Sequence, residues 1–130
     1  YRGMYCASKA ALERYTEALR MEVKKFGIQI CLLQPGGIQT DINKNRMVSP
    51  MPANSPYKDS FNKCYEIVNA SVSKGYPLNT FGPIVKQIVD SKNIKGKYRV
   101  SKFTEKLSVM MKRILPASVF EGILMRHFKI

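Results

Sequence analysis

The chain has 130 residues, of which 45% are hydrophobic and 24% are charged, a balance typical of a single small globular domain. No stretch reaches the apolar length that a membrane-spanning helix requires, so an integral membrane protein is not predicted. The formal net charge of +13 is concentrated at the end of the chain, where residues 91–130 contain ten Lys or Arg against two Asp or Glu.

A helical pattern occupies the first part of the chain. Positions 5, 9, 12, 16, 19 and 23 follow alternating spacings of four and three, which define one face of a continuous helix. Tyr5 and Lys9 lie one turn apart on that face, so the ammonium can reach the surroundings of the phenol. Because a nearby cation favours the phenolate form, the pair predicts a general acid/base that works near neutral pH.

An apolar strand pattern follows this helix. Gly27 can take the left-handed conformation that ends a helix, and residues 28–33 are nearly all apolar, as in a parallel strand covered on both faces. Pro35, Gly36 and Gly37 then break the strand at its carboxyl end. In an open α/β sheet this edge binds ligands, and a glycine pair lets the backbone come close to a cofactor. A simple turn is the alternative interpretation.

The middle of the chain predicts a long loop, two helices and a last strand. Residues 43–56 have no periodicity and contain three prolines, which predicts a loop. Apolar residues at 57, 61, 64, 65, 68 and 72 predict a helix that serves either as part of a lid or as ordinary core. Thr80 is placed to cap the next helix, whose apolar face is Ile84, Val85, Ile88 and Val89. Residues 98–100 predict a short strand, and two strands cannot cover their own edges, so the sheet needs partners outside these residues.

Two amphipathic helices are predicted at the carboxyl end. Apolar residues recur at helical spacing on both sides of Pro116, and basic side chains flank them. This makeup is typical of helices at an anionic membrane surface, so peripheral membrane contact through residues 104–130 is one interpretation. In the other, the helices close over a substrate pocket or pack against a partner subunit. On either interpretation we expect a bulky, apolar substrate.

Three segments together resemble the second half of a short-chain dehydrogenase/reductase. They are the run from Tyr5 to Val23, the tripeptide at 26–28, and Leu33-Gln34-Pro35-Gly36-Gly37-Ile38-Gln39-Thr40. The resemblance implies an α/β fold, the carboxyl-terminal part of a Rossmann-type doubly wound parallel sheet with a helical carboxyl-terminal extension. Residues 1–102 would form the carboxyl-terminal half of an NAD(P)-binding domain, with a lid region at about 43–78, and residues 103–130 would form the extension.

The resemblance also implies an activity and a site. The activity is the interconversion of an alcohol and a carbonyl compound with NAD or NADP, in which Tyr5 transfers the proton. Lys9 would promote ionisation of Tyr5 and hydrogen-bond the nicotinamide ribose, while the Ile38 backbone and Thr40 would hold the carboxamide. The catalytic residues implied are Tyr5 and Lys9, and the cofactor-binding residues are Tyr5, Lys9, Pro35, Gly36, Ile38 and Thr40. In this family the helix that carries the Tyr5 and Lys9 motif commonly helps form the subunit interface, which implies a homo-oligomer through the first helix of this chain.

The chain also departs from the family pattern. It has no glycine-rich phosphate loop, and the family's catalytic serine lies further upstream than the four residues before Tyr5, so we interpret the chain as a fragment. An inactive remnant and a basic amphipathic module that binds a membrane surface are the alternative functions. Nucleic acid is not an expected partner, because the aromatic and glycine signature of common RNA-binding modules is missing.

The cysteines bear on whether the chain functions in a reducing or an oxidising compartment of the cell. Cys6, Cys31 and Cys64 are odd in number and have no paired spacing, so neither a disulfide framework nor a metal site is predicted. Each lies in an apolar pattern and is expected to be a buried thiol. Reduced cysteines fit a cytoplasmic location, with peripheral attachment to a membrane as the alternative.

Overall fold

The computed structural model describes residues 1–130 and has an α/β fold, as predicted. Its elements in chain order are α1 (Gly3–Val23), β1 (Leu32–Pro35), α2 (Ile42–Asn45), α3 (Lys58–Ser73), α4 (Phe81–Val89), β2 (Lys97–Val100), α5 (Phe103–Ile114) and α6 (Ala117–Phe128). The two strands pair in parallel, as expected for part of a Rossmann-type sheet. None of the six helices combines the length and the apolar composition needed to cross a lipid bilayer.

The chain forms two compact units. The first contains residues 1–35 and 79–100, and the second contains residues 36–78 and 101–130. In the first unit, Leu32 of β1 lies opposite Lys97 of β2, and the register continues to Pro35 opposite Val100. This unit also contains α1 and α4, so it has the helix and sheet layers of an α/β fold.

The first strand is shorter than the apolar run that predicts it. Hydrogen bonding to the neighbouring strand begins where the Leu32 N–H donates to the Gly96 carbonyl, so residues 28–31 lie outside the sheet. In this part of the chain, the Gln29 side chain instead bonds two backbone groups beyond α4. Its amide nitrogen donates to the Lys92 carbonyl at 2.7 Å, and its oxygen accepts from the Ile94 N–H at 3.0 Å.

Charged and polar side chains join α1 to both strands. The Glu13 carboxylate accepts hydrogen bonds from the Lys97 ammonium and from the Gln34 side-chain amide, and the same ammonium lies 2.8 Å from a Glu17 oxygen. Arg99 donates to the Gln34 oxygen at 3.0 Å and so links the two strands through their side chains. Glu13 and Lys97 are about three-quarters covered, so their attraction is less screened than that of a surface pair.

This cluster predicts acid sensitivity of the first unit. The hydrogen bond from Lys97 lowers the pKa of the Glu13 carboxyl below its ordinary value of 4.5. Its stabilising effect is therefore present above the pKa of the unfolded state and lost as the pH falls through the lower pKa of the folded state. We expect the thermal midpoint to fall between about pH 6 and about pH 3, and Glu13→Gln to flatten that fall. Glu22→Gln, on an exposed position of α1, is the control, and identical pH profiles for both variants would contradict the prediction.

The second unit has its core where α3 and α6 meet. Cys64 and Val68 on α3 and Phe120 on α6 are buried, and α6 also packs on α5. The apolar stripe that predicts α3 is confirmed, since its members beyond residue 57 are buried or half-buried. Pro116 ends one carboxyl-terminal helix and precedes the next, also as predicted.

Several local predictions need correction. Thr80 does not cap α4 through its side chain; it ends a short 3₁₀ helix at Leu78–Thr80 that leads into α4. The loop after Thr40 begins later than expected, because α2 occupies residues 42–45. Only Cys64 is buried, whereas Cys31 is half-buried and Cys6 is exposed. Cys6 lies in the first turns of α1, which are exposed all round in this structure, so no side chain covers the thiol.

The predicted helix faces are covered only in part. On α1 the stripe is buried at Thr16, whereas Leu12 remains half exposed, because the two strands cover only the second half of the helix. On α4, Ile84 and Ile88 are half-buried, but Val85 and Val89 point outward. The helical periodicity is thus correct, while its burial depends on how much sheet each helix meets.

Candidate active site

Tyr5 and Lys9 lie in the first two turns of α1. The Lys9 ammonium nitrogen is 5.5 Å from the centre of the Tyr5 ring, within the range of a cation–π contact. Tyr5 as a whole is 51% exposed, so it is not enclosed by the rest of the chain. Because the two residues share one helix, their spacing follows from helical geometry alone.

A second cation, missed by the sequence interpretation, lies beside Tyr5. The guanidinium carbon of Arg2 is 4.4 Å from the ring centre, closer than the Lys9 ammonium. Arg2 precedes α1, and its carbonyl accepts a hydrogen bond from the Cys6 N–H at 2.9 Å, which fixes the backbone beside the tyrosine. This contact could have been predicted from the sequence, because Arg2 and Tyr5 are three residues apart at the start of a helix. The phenol therefore has positive charge from two side chains.

The direction of α1 places this pair toward the carboxyl edge of the sheet. Arg20, near the end of α1, packs so closely on Gly96, just before β2, that a β-carbon at Gly96 would overlap it. Glu13, two turns earlier, bonds Gln34 near the end of β1. The helix thus runs antiparallel to the strands, so Tyr5, about 12 Å further along its axis than Glu13, lies in the direction of their carboxyl ends. Ligands bind at this edge of open α/β sheets.

The other predicted site residues follow β1 directly. Pro35 is the last residue of β1 in the first unit, and Gly36, Ile38 and Thr40 belong to the second unit. A parallel bridge joins Ile38 to Tyr76: the Gln39 N–H donates to the Tyr76 carbonyl at 2.9 Å, and the Tyr76 N–H donates to the Gly37 carbonyl at 2.8 Å. The N–H and C=O of Ile38 take no part in this bridge.

Close contacts within the protein explain the two glycines. A β-carbon at Gly37 would lie 2.6 Å from the Ser71 carbonyl oxygen, and one at Gly36 would lie 2.8 Å from the Ser101 β-carbon. Gly75 approaches Gly37 from α3, and a β-carbon on Gly75 would overlap the Gly37 carbonyl. These three glycines therefore let the segment after β1 pack against two other parts of the same unit.

Thr40 ends this segment on the surface. Its hydroxyl oxygen accepts a weak hydrogen bond from the Ile42 N–H at 3.4 Å, at the start of α2, and the residue is exposed. The hydroxyl proton can still be donated to a ligand. An amide such as the nicotinamide carboxamide needs one acceptor and one donor partner. The Ile38 N–H can donate to such a group, the Ile38 C=O can accept from it, and the Thr40 hydroxyl can donate to it.

Comparison with known proteins was made for the whole chain. Residues 1–49 match the family model described as short chain dehydrogenase, and this match includes every candidate site residue named above. A 3-ketodihydrosphingosine reductase of Bacteroides thetaiotaomicron is 34% identical over 122 residues, which are 93% of this chain and 45% of that protein. No solved structure matches the chain significantly.

Two further relatives extend the comparison. A probable short-chain type dehydrogenase/reductase, VdlC, of Helicobacter pylori is 29% identical over 93% of this chain and 44% of its own length. An NADPH-dependent 1-acyldihydroxyacetone phosphate reductase of Saccharomyces cerevisiae is 30% identical over 75% of this chain and 33% of its own length. The chain thus spans less than half the length of each of these three relatives.

Proposed function

Because the chain belongs to the short-chain dehydrogenase/reductase family, we propose that it is part of an NAD(P)-dependent oxidoreductase that interconverts an alcohol and a carbonyl compound. The observation that carries the proposal is the contact of Tyr5 with Lys9 at the start of α1, a helix that runs toward its start in the direction of the carboxyl ends of the strands. A phenol beside a cation is suited to proton transfer with a bound ligand.

The proposed roles follow from the side chains. When bound, a reduced nicotinamide cofactor would supply the hydride for this reaction. Tyr5 gives its hydroxyl proton to the carbonyl oxygen as the alcohol forms, and takes that proton back in the oxidation direction. Lys9 places positive charge beside the phenol and binds the nicotinamide ribose, and Arg2 adds to that charge. The Ile38 backbone and the Thr40 hydroxyl hold the carboxamide.

We also propose an apolar substrate. The Bacteroides relative is named as a reductase of 3-ketodihydrosphingosine, and the chain covers nearly half of that protein at 34% identity. In the second unit, apolar side chains on α5 and α6 remain exposed, among them Phe103, Met110, Ile114 and Val119. Exposed apolar surface of this kind suits an apolar ligand or an apolar partner.

The test is an activity assay of the longest open reading frame that contains this chain. We expect oxidation of NADH or NADPH that saturates with ketone concentration, and a Michaelis constant that falls as the alkyl chain of the ketone lengthens from about 4 to about 16 carbons, because each buried methylene adds roughly 0.8 kcal/mol. A set of ketones that differ only in chain length provides the internal control. Absence of turnover with both cofactors would favour the inactive relative instead.

Two expectations about partners stay predictions. A homo-oligomer through α1 is supported by the exposed small side chains of Ala7 and Ala11, which leave room for a second helix. Peripheral contact of residues 104–130 with an anionic membrane is supported by Met110 and Ile114, which are 52% and 71% exposed on a helix that also carries Lys106, Lys112 and Arg113.

A further inference from the structure

We propose that Glu105, at the start of α5, is a positioning residue that fixes the backbone of the Gly36 to Ile38 segment for cofactor binding. This inference rests on the proposed function and adds to it a residue from the carboxyl-terminal extension. One oxygen of the Glu105 carboxylate accepts a hydrogen bond from the Gly37 N–H at 3.2 Å. The other oxygen accepts from the Lys102 N–H at 3.0 Å, at the residue that precedes α5.

Together, Glu105 and Tyr76 determine the orientation of two successive peptide groups. The N–H of Gly37 points at Glu105, and the C=O of Gly37 points at the Tyr76 N–H, 2.8 Å away. Each trans peptide group is planar, with its C=O and N–H directed oppositely. The Gly37 carbonyl therefore directs the Ile38 N–H away from Tyr76, and the Gly37 N–H directs the Gly36 carbonyl away from Glu105. These are the backbone groups beside the proposed carboxamide position.

The sequence of this segment makes such an anchor necessary. Two consecutive glycines have the widest conformational freedom of any dipeptide, and a ligand that bound them would have to order them first. A carboxylate bond to the Gly37 N–H removes part of that freedom before the ligand arrives. Such preorganisation of a binding segment raises affinity without any direct contact to the ligand.

The packing around the carboxylate shows a reciprocal fit. A β-carbon at Gly36 would overlap the Glu105 carboxylate and lie 2.8 Å from the Ser101 β-carbon, so only glycine leaves room for this side chain. The Lys102 ammonium donates to the Lys74 carbonyl, at the end of α3, and so attaches the start of α5 a second time. A glutamate that served α5 alone would need neither the glycine nor the bond to Gly37.

The test compares Glu105→Ala, Glu105→Gln and the control Glu121→Ala, an exposed glutamate on α6, in the complete reading frame. We expect Glu105→Ala to weaken binding of the reduced cofactor about 10-fold to 100-fold, the range for losing a hydrogen bond to a charged group. We expect kcat to change less than the cofactor Michaelis constant, Glu105→Gln to restore most of the affinity, and Glu121→Ala to leave it unchanged. If Glu105→Ala lowers the thermal midpoint but leaves cofactor affinity within twofold, the residue only caps α5 and the proposal is wrong.

Amide hydrogen exchange separates this proposal from the proposed function. The Gly37 N–H should exchange about 10-fold faster in Glu105→Ala than in the unmodified protein or in Glu121→Ala, because it loses its acceptor. If the unmodified protein binds no nicotinamide cofactor, the proposed function fails and with it the role in cofactor binding, while this exchange measurement still reports whether Glu105 orders the segment. Unchanged exchange at Gly37 would overturn the positioning role in either case.

Discussion

If the proposed function is right, replacement of Tyr5 by phenylalanine in the complete reading frame is expected to reduce turnover by about two to four orders of magnitude, the usual contribution of acid/base catalysis. The phenylalanine ring keeps the cation–π contacts with Arg2 and Lys9 and lacks only the hydroxyl that would carry the proton. Cofactor affinity should therefore change little. Lys9→Met is expected to impair both turnover and cofactor binding, because Lys9 is proposed to serve both.

Steady-state rates and cofactor titrations of the unmodified protein, Tyr5→Phe and Lys9→Met check this prediction. Tyr15→Phe is the matched control, because Tyr15 lies on the same helix, is 63% exposed and is not among the candidate site residues. Retention of more than half of the activity in Tyr5→Phe would show that another group transfers the proton.

Replacement of Gly75 by alanine is expected to lower the free energy of unfolding by about 3 kcal/mol, the upper part of the range for overpacked sites. The added β-carbon would overlap the Gly37 carbonyl and crowd the Ile38 amide. Both are backbone groups, and Tyr76 and Glu105 hold Gly37 in place, so neither can move aside cheaply. The bridge from Ile38 to Tyr76 should be the first feature lost.

Urea unfolding of Gly75→Ala and of a control variant, Gly122→Ala, measures the change in the free energy of unfolding. Gly122→Ala, in α6 of the same unit, is the control with the opposite sign. Nothing lies within 4 Å of a β-carbon at Gly122, and alanine has the higher helix propensity, so a gain of up to about 1 kcal/mol is expected. A loss of less than about 0.5 kcal/mol for Gly75→Ala would mean that the backbone at Gly37 adapts to the added atom.

In the carboxyl-terminal extension, the helices could be predicted from the sequence, but one of their long-range contacts could not. Periodicity and Pro116 predict two helices, and the structure has them at Phe103–Ile114 and Ala117–Phe128. The hydrogen bond that Glu105 accepts from the Lys102 N–H, three residues earlier, is also a local contact. The second bond of that glutamate joins residues 68 positions apart in sequence. No spacing rule relates such positions, so its partner could not be predicted.

For the glycines, too, the sequence predicts one part of the structure and the fold decides the rest. The sequence Pro35-Gly36-Gly37 predicts the end of a strand, and β1 does end at Pro35. The close approach of a cofactor stays a prediction, and the structure shows that Gly36 and Gly37 also make close contacts with Gly75, Ser71 and Ser101. Sequence indicates that a glycine is needed, because a turn or tight packing excludes a side chain. It does not indicate which atoms occupy the space.

The sequence by itself determined the five longer helices and the spacing of Tyr5 and Lys9. These features depend on spacings of three or four residues, which the geometry of a single helix converts directly into distances. Tertiary structure alone decided the start of β1 at Leu32, the exposure of Cys6, and the contacts of Gly37 with Glu105 and Tyr76. These depend on which distant segments meet, and that is set by the packing of the whole unit rather than by any local pattern.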